Sequence, residues 1–244
     1  MAIDPEFQKK LQVFLVIAIV IAGGRAAYVV YERHETRKED AAPKQERALN
    51  ADYYVTPKKL HVYDLKSARE QLMAQPVWVK YGDQLTYYPY NSARHKTDFA
   101  HEAGTLAPLQ KLAIQDVVTD VAPQAPGIKQ VMACFSLEGK AYAVPIGAQK
   151  DGDFKLRAAD IFFIEDPRDL YKHWPADVWQ KIDAHEVQPG MSELQASFAI
   201  GMGVPEGSGD YGSRTLHYPN AGKPIVVSFE NDKAVEIKPG TPGS

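Results

Sequence analysis

Three histidine–glutamate pairs, His34-Glu35, His101-Glu102 and His185-Glu186, carry the residue types of a zinc site or an acid–base pair. A helical zinc site needs a second imidazole four residues after the first, so that both ring nitrogens leave one helix face. None of the pairs extends to that spacing. A site assembled from distant histidines, such as His95 with His101, stays open beside the simpler reading of solvated surface. Ser136 and Ser228 lie in strand-like segments without the sharp glycine-flanked turn that exposes a serine nucleophile. The run GMGVPEGSGDYG, residues 201–212, is glycine-rich but lacks the lysine and the preceding strand of a phosphate loop, and it reads as a plain loop. Glu165, Asp166 and Asp169 have the charge to hold a cation, yet at a helix start they also complement the dipole. Cys134, the single cysteine, sits in the apolar stretch VMACFSL and reads as a buried thiol. The residues therefore point to no catalytic group, no metal and no cofactor, and the expected protein is not an enzyme.

A binding surface is easier to assemble. Tyr53, Tyr54, Trp78, Tyr81, Tyr87, Tyr88 and Tyr90 concentrate aromatic side chains in a short span, and such residues are enriched at interfaces. If Tyr88 and Tyr90 face a core, strand alternation turns Tyr87 outward. The loop NSARHKTDFAHEAG, residues 91–104, follows directly and presents His95, Lys96 and Phe99 beside the tyrosines. The candidate partner- or glycan-binding residues are thus Tyr81, Tyr87, His95, Lys96 and Phe99.

The chain that must position them opens with MAIDPEF, which resembles a vector-derived leader, so residues 1–8 are set aside. Lys9 and Lys10 then precede the apolar run Leu11 to Tyr31. About 20 residues at helical rise match a bilayer's hydrocarbon core, so residues 9–31 read as a single transmembrane helix contacting lipid through 11–31. Arg25 would snorkel to the headgroups, while Tyr28 and Tyr31 form an aromatic belt. A cleaved signal peptide ending near Ala22-Gly23-Gly24 or Arg25-Ala26-Ala27 is the alternative. Residues 32–52 mix acidic and basic side chains with almost no large apolar one, and read as a charged spacer.

Composition bounds the remainder. With 45% hydrophobic and 24% charged residues and a net charge of −3, the chain is of ordinary globular type. A pI near 6.2 with interspersed charges argues against a nucleic-acid partner.

Residues 53–166 carry short β-branched or aromatic runs separated by turns, expected as strands at Tyr53–Thr56, His61–Leu65, Val77–Tyr81, Leu85–Tyr90, Leu112–Val121, Val131–Leu137, Lys140–Ile146, Phe154–Arg157 and Ile161–Ile164. Hairpin turns are expected at Gly82-Asp83 and Glu138-Gly139, and a helix at Lys66–Ala74. The order of the VWVK strand, GTLAPLQKLAIQDVV and the MACFSLEGKAYAVPIG hairpin resembles the layout of bacterial SH3-like barrels. Residues 167–186 read as connector helices, with Trp174 and Trp179 as core packing.

From Val187 the pattern is more specific. Gly190-Met191-Ser192 opens a helix Glu193–Ile200, with Ser192 as N-cap and Gly203 as the left-handed exit before Val204-Pro205. Strands follow at Arg214–Tyr218, Ile225–Glu230 and, after an Asn231-Asp232 turn, Ala234–Lys238. This arrangement, over residues 187–239, resembles the SmpA/OmlA (BamE-like) family of small envelope modules, known from a lipoprotein of an outer-membrane assembly machine. The chain lacks the acylated amino-terminal cysteine of that family.

The resulting expectation is an α+β protein with a single N-terminal transmembrane helix, a small antiparallel β-domain and a C-terminal helix-plus-sheet module. Its place would be the bacterial inner membrane, single-pass, with the C-terminal domain periplasmic, or the periplasm after signal cleavage. The resemblance implies docking to other membrane or envelope proteins; binding of peptidoglycan or another glycan, and a hydrolase with an unrecognised site, are the alternatives.

Overall fold

Asp64 begins the first well-formed helix, because its carboxylate accepts from the Ser67 N–H at 2.7 Å while Ser67 Oγ takes the Asp64 N–H. These hydrogen bonds hold the Asp64 carboxyl below its usual range. The helix, α1 (Leu65–Leu72), buries Ala68 and Leu72 and ends at Met73. The computed structural model describes Gly24, Arg25, Tyr28 and residues 50–80, 85–121 and 127–241. Of the first fifty residues, Gly24, Arg25 and Tyr28 are helical and exposed. Everything from Ala51 onward belongs to one unit.

Antiparallel sheets dominate that unit. The largest is built on β2 (Thr86–Asn91), β6 (Ile114–Val121), β7 (Ile128–Leu137) and β8 (Lys140–Lys150), with β3 (Lys96–Thr97) at one edge, in the order β3-β2-β8-β7-β6. Two short strands add to it, β4 (Gly104–Thr105) beside β2 and β9 (Asp153–Leu156) beside β8. Glu138 and Gly139 both take positive φ at the β7–β8 turn, the geometry that matches the strands' twist. Gly147 in β8 permits a close approach, since a Cβ there would lie 2.4 Å from the Lys155 carbonyl oxygen of β9.

A second, three-stranded sheet has the order β10-β1-β5, from β1 (Val77–Val79), β5 (Lys111–Leu112) and β10 (Phe162–Phe163), the last entered from the short helix α2 (Ala158–Ile161). Its alternation joins two cores. Val77, Val79, Leu112 and Phe162 pack into the first with Leu72, Phe135 and Ile146, whereas Trp78 and Phe163 pack against the second. The second core gathers Tyr171, Trp174, Trp179, Phe198, Leu216, Tyr218 and Phe229. It is framed by α3 (Pro167–Leu170), α4 (Ala176–Asp183), α5 (Glu193–Ile200) and a four-stranded sheet. That sheet runs β11 (Val204–Pro205), β12 (Thr215–Tyr218), β13 (Ile225–Glu230), β14 (Lys233–Pro239) in order. Trp174 stacks on Tyr171 at 4.4 Å and meets Phe198 edge-on at 5.2 Å, the geometry favoured by aromatic quadrupoles.

Several expectations need correction. The described chain is mostly antiparallel β-sheet, not an α+β fold led by a transmembrane helix, and among the described residues no helix is long and apolar enough to cross a membrane. The single-pass inner-membrane placement rested on that helix and falls with it. Apart from Gly24, Arg25 and Tyr28, the run Leu11–Tyr31 lies outside the described residues, as do residues 1–8, most of the spacer and the Gly82-Asp83 turn. The strand expected at Tyr53–Thr56 is a 3₁₀ turn, Ala51–Tyr54. The Asp52 carboxylate dictates it by accepting from His173 Nε2 at 2.6 Å and Trp174 Nε1 at 2.7 Å. The strand expected at His61–Leu65 yields to the Asp64 cap.

Candidate functional site

Among the described residues, those chosen from sequence are divided between exposed positions, His95 and Lys96, and half-buried ones, Tyr87 and Phe99. Tyr81 lies outside the described residues. Tyr87 is half-buried against the first core, edge-on to Phe135 at 5.8 Å and to Tyr142 at 5.0 Å. Tyr88 and Tyr90 lie on the opposite face with Phe99, over Val118, Met132, Cys134 and Ala143. Both faces of β2 are therefore covered, which single-strand alternation could not reveal. Phe99 leans on Tyr88 at 5.4 Å, and exposed His95 meets the Tyr90 hydroxyl through Nδ1 at 3.2 Å.

Lys96 serves structure as well. Its ammonium lies 2.7 Å from Asp120, whose side chain is 2% exposed, and the Thr97 N–H donates to the same carboxylate at 2.7 Å. Asp120 belongs to β6, at the other edge of the sheet from β3. The carboxylate thus staples the two edges together where the ladder itself does not close.

The reactive residue types are similarly occupied. Burial pushes the Cys134 thiol up to about 12, with Asp116 adding to the shift and the Tyr90 hydrogen bond opposing it. Burial, with Cys134 beside it, raises the Tyr90 hydroxyl too. Cys134 is accordingly expected to resist a thiol reagent such as dithionitrobenzoate at about pH 8 in the folded chain and to react once guanidinium unfolds it; rapid labelling without denaturant would contradict the burial. His101 pairs with Asp98 at 2.9 Å, and His217 lies 3.2 Å from Glu206. Ser136 Oγ donates to Gln115 at 3.1 Å, and Ser228 Oγ meets Thr215 Oγ1 at 3.0 Å. Asp166 caps α3 through the Arg168 N–H, while Glu165 takes the Lys58 N–H and ammonium. Among the described residues no group of three or more His, Cys, Asp or Glu side chains is placed to hold a metal ion.

What sequence reading missed is a cleft of about 520 Å³ beside the connection between the two cores. Buried Leu106 and Ile200 line it together with Ala107, Pro108, His185 and Ala221. Volume and apolar lining are those of a typical small-ligand or side-chain pocket. His185 is held there by Nδ1, 2.9 Å from the Ala199 carbonyl oxygen, which places the proton on Nδ1 and leaves Nε2 for another partner. Its neighbour Glu186 turns to Lys181 at 2.5 Å, and that hydrogen bond lowers the Glu186 carboxyl.

The backbone around the cleft is strained. His185, Asn220 and Ala221 have φ of 54°, 44° and 50°, and Leu109, next to Pro108, has 56°. Leu109 and Ala221 have no side-chain oxygen to compensate, and left-handed non-glycine residues cost about 1 kcal/mol or more each. A broader depression of about 610 Å³ over the outer face of the C-terminal sheet is lined by Thr215, Ser228 and Arg214, but that guanidinium is already engaged by Glu193.

No family model, curated protein or solved structure matches the chain. Leu106, Ala107 and Pro108 reach the cleft from the segment that follows β4, and His185 from just beyond the end of α4. Ala199 and Ile200 come from the last turn of α5, and Asn220 and Ala221 from the β12–β13 connection. The contributing segments are far apart in sequence and share no motif. The one available signal was the Pro219-Asn220-Ala221-Gly222 run, a turn composition without an evident ligand.

Proposed function

We propose that the protein is a non-catalytic docking module that binds a protein partner, with the cleft at Leu106–Pro108, His185, Ile200 and Ala221 as its seat. The observation that carries this reading is the cleft itself, an apolar hollow with one ring nitrogen left over and a rim held in a costly backbone conformation. Strain of that kind persists where surrounding structure enforces it and clusters at ligand clamps. The occupied state of the acids, hydroxyls and thiol described above favours binding over turnover.

Site-specific photo-crosslinking from Thr105 in the full chain, in its native cells, tests it. A discrete protein adduct is expected from Thr105, absent from a control position at exposed Val235 and abolished by Ala221→Arg, which fills the cleft. Equal labelling from both positions, or labelling indifferent to Ala221→Arg, would sink the reading.

A further inference from the structure

Residues 51–58 are held to the folded unit by side chains. The segment contributes no strand to any of the sheets, and its first turn closes on itself, from the Val55 N–H to Asp52 O at 3.1 Å. Asp52 anchors one end, its carboxylate taking His173 Nε2 at 2.6 Å and Trp174 Nε1 at 2.7 Å. Lys58 anchors the other, its N–H 2.7 Å from Glu165 Oε2 and its ammonium 3.2 Å from Glu165 Oε1. Between them Val55 leans on the second core, while Tyr53 and Tyr54 face solvent, 72% and 69% exposed. None of the eight residues is fully buried. The segment ends where Leu60 enters the first core and the Gln71 side chain holds both the N–H and the carbonyl of His61, at 2.9 and 2.8 Å.

A stretch with few buried apolar contacts and no place in a ladder opens at a lower free energy than the fold that carries it. What this stretch covers belongs to the wall of the cleft. Trp174 meets Phe198 edge-on at 5.2 Å, and Phe198 is followed in α5 by Ala199 and Ile200, which line the cleft. Ala199 in turn holds His185 through its carbonyl. Trp174 is 6% exposed, so once Asp52 leaves, the indole N–H loses its acceptor in an apolar setting and the ring must turn toward water to recover one.

We infer that residues 51–58 form a releasable strap that opens as a unit while both cores stay folded, and that its closure keeps the α5 wall of the cleft rigid. The inference goes beyond the docking reading by assigning control of the cleft to the strap, a two-state element that is either seated or peeled. Because the unit begins at Ala51, a pull on the preceding residues reaches the strap before any other element of the unit.

Chymotrypsin added to the full chain at stepped urea, with cleavage after Tyr53 and Tyr54 followed by mass spectrometry, is the direct test. Below the unfolding transition the rate is expected to be nearly independent of urea, because a local opening exposes little surface. Asp52→Ala is expected to raise it at least about tenfold, the equivalent of one charge-assisted hydrogen bond. Asp52→Asn, which keeps an acceptor oxygen, should raise it less. Hydrogen exchange reports the wall: in Asp52→Ala the Ile200 and Gly201 amides should exchange faster, and Ala133 in β7 should not change. Cleavage that rises with urea in step with global unfolding, or that is no faster in Asp52→Ala, would overturn the strap. Unchanged exchange at Ile200 and Gly201, or equal acceleration at Ala133, would overturn its hold on the cleft. None of these readouts needs a partner, so absence of the Thr105 crosslink would sink the docking reading alone and leave the strap standing.

Discussion

Arg214→Met is expected to lower the free energy of unfolding by about 3 kcal/mol, because it strands a buried carboxylate. The Glu193 side chain is 5% exposed in the first turn of α5, where it accepts from the Gly212 N–H at 3.0 Å and from Arg214 Nε at 3.2 Å, with Arg214 Nη2 as a closer third donor. The Glu193 N–H in turn donates to Asp232 at 3.1 Å, and the Asp232 N–H to the Gly212 carbonyl at 2.7 Å. Helix, glycine-rich loop and the β13–β14 turn are thereby laced by the Glu193 and Asp232 carboxylates. Gly212 holds its place with φ of 77° and Asp232 packed so closely that a Cβ would meet it at 3.0 Å. Removing the guanidinium leaves Glu193 one N–H donor in an apolar setting.

The reciprocal change should cost less. Arg214 is 24% exposed, so in Glu193→Gln the guanidinium turns toward water and retains its cation–π approach to Tyr211, and the loss is about 1 kcal/mol. The double variant Glu193→Leu with Arg214→Met should recover much of the single loss, since well-packed apolar replacements of a buried pair are often neutral. Guanidinium denaturation of the three variants measures these differences. A loss below about 1 kcal/mol in Arg214→Met would mean that Glu193 finds water in the fold and that the lacing is superficial.

How far the sequence spoke depended on whether the deciding forces were local. The α5 limits, Glu193–Ile200, and the Ser192 cap follow from neighbours three residues apart, and the structure has them. Strand β13 coincides with the expected Ile225–Glu230, and the Asn231-Asp232 turn takes positive φ at both residues. Gly201, with φ of 90°, makes the helix exit assigned to Gly203. Gly203 matters for another reason, because a Cβ there would lie 2.8 Å from the Tyr218 ring. Propensity reads glycine as conformational freedom, whereas close approach is a tertiary fact.

Non-local forces account for the misses. Tyr53 and Tyr54 have strand propensity, but their segment coils because Asp52 is captured by His173 and Trp174 more than a hundred residues later. The tyrosine cluster looked like a surface because one strand cannot show that its sheet is covered on both sides, by the first core at Tyr87 and by Phe99 at Tyr88. The cleft was invisible for the same reason, being assembled from four segments far apart in the chain. The shared sheet, where Val77 and Val79 serve one core and Trp78 the other, ties the two cores together.

Asp120→Asn is expected to destabilise the fold by about 2–3 kcal/mol near pH 7, with the loss shrinking in acid. Burial alone would raise the Asp120 carboxyl, but the hydrogen bonds from Lys96, the Thr97 N–H and the Val121 N–H outweigh it and leave the carboxyl below its ordinary range. A carboxyl depressed in the folded state adds stability that is fully present above its unfolded value of about 3.9 and is lost as pH falls through the lower folded value. The gap between wild type and Asp120→Asn should therefore be constant above about pH 5 and narrow below about pH 4, as both states of the wild type become protonated. Urea denaturation at stepped pH measures it, and a gap unchanged down to about pH 2 would show that the charge contributes nothing. Hydrogen exchange gives the local readout, because the asparagine amide places a donor where the carboxylate took both the Lys96 ammonium and the Thr97 N–H. Exchange at Thr97 should accelerate along with its strand partner Tyr90, since both depend on β3 staying against the sheet. Tyr88 and Phe99 would lose their cover next, and the 98–103 excursion that leads into Leu106–Pro108 would loosen with them. Release at the staple should thus reach the cleft through continuous chain, so Asp120→Asn is expected to weaken docking even though Asp120 does not line the site.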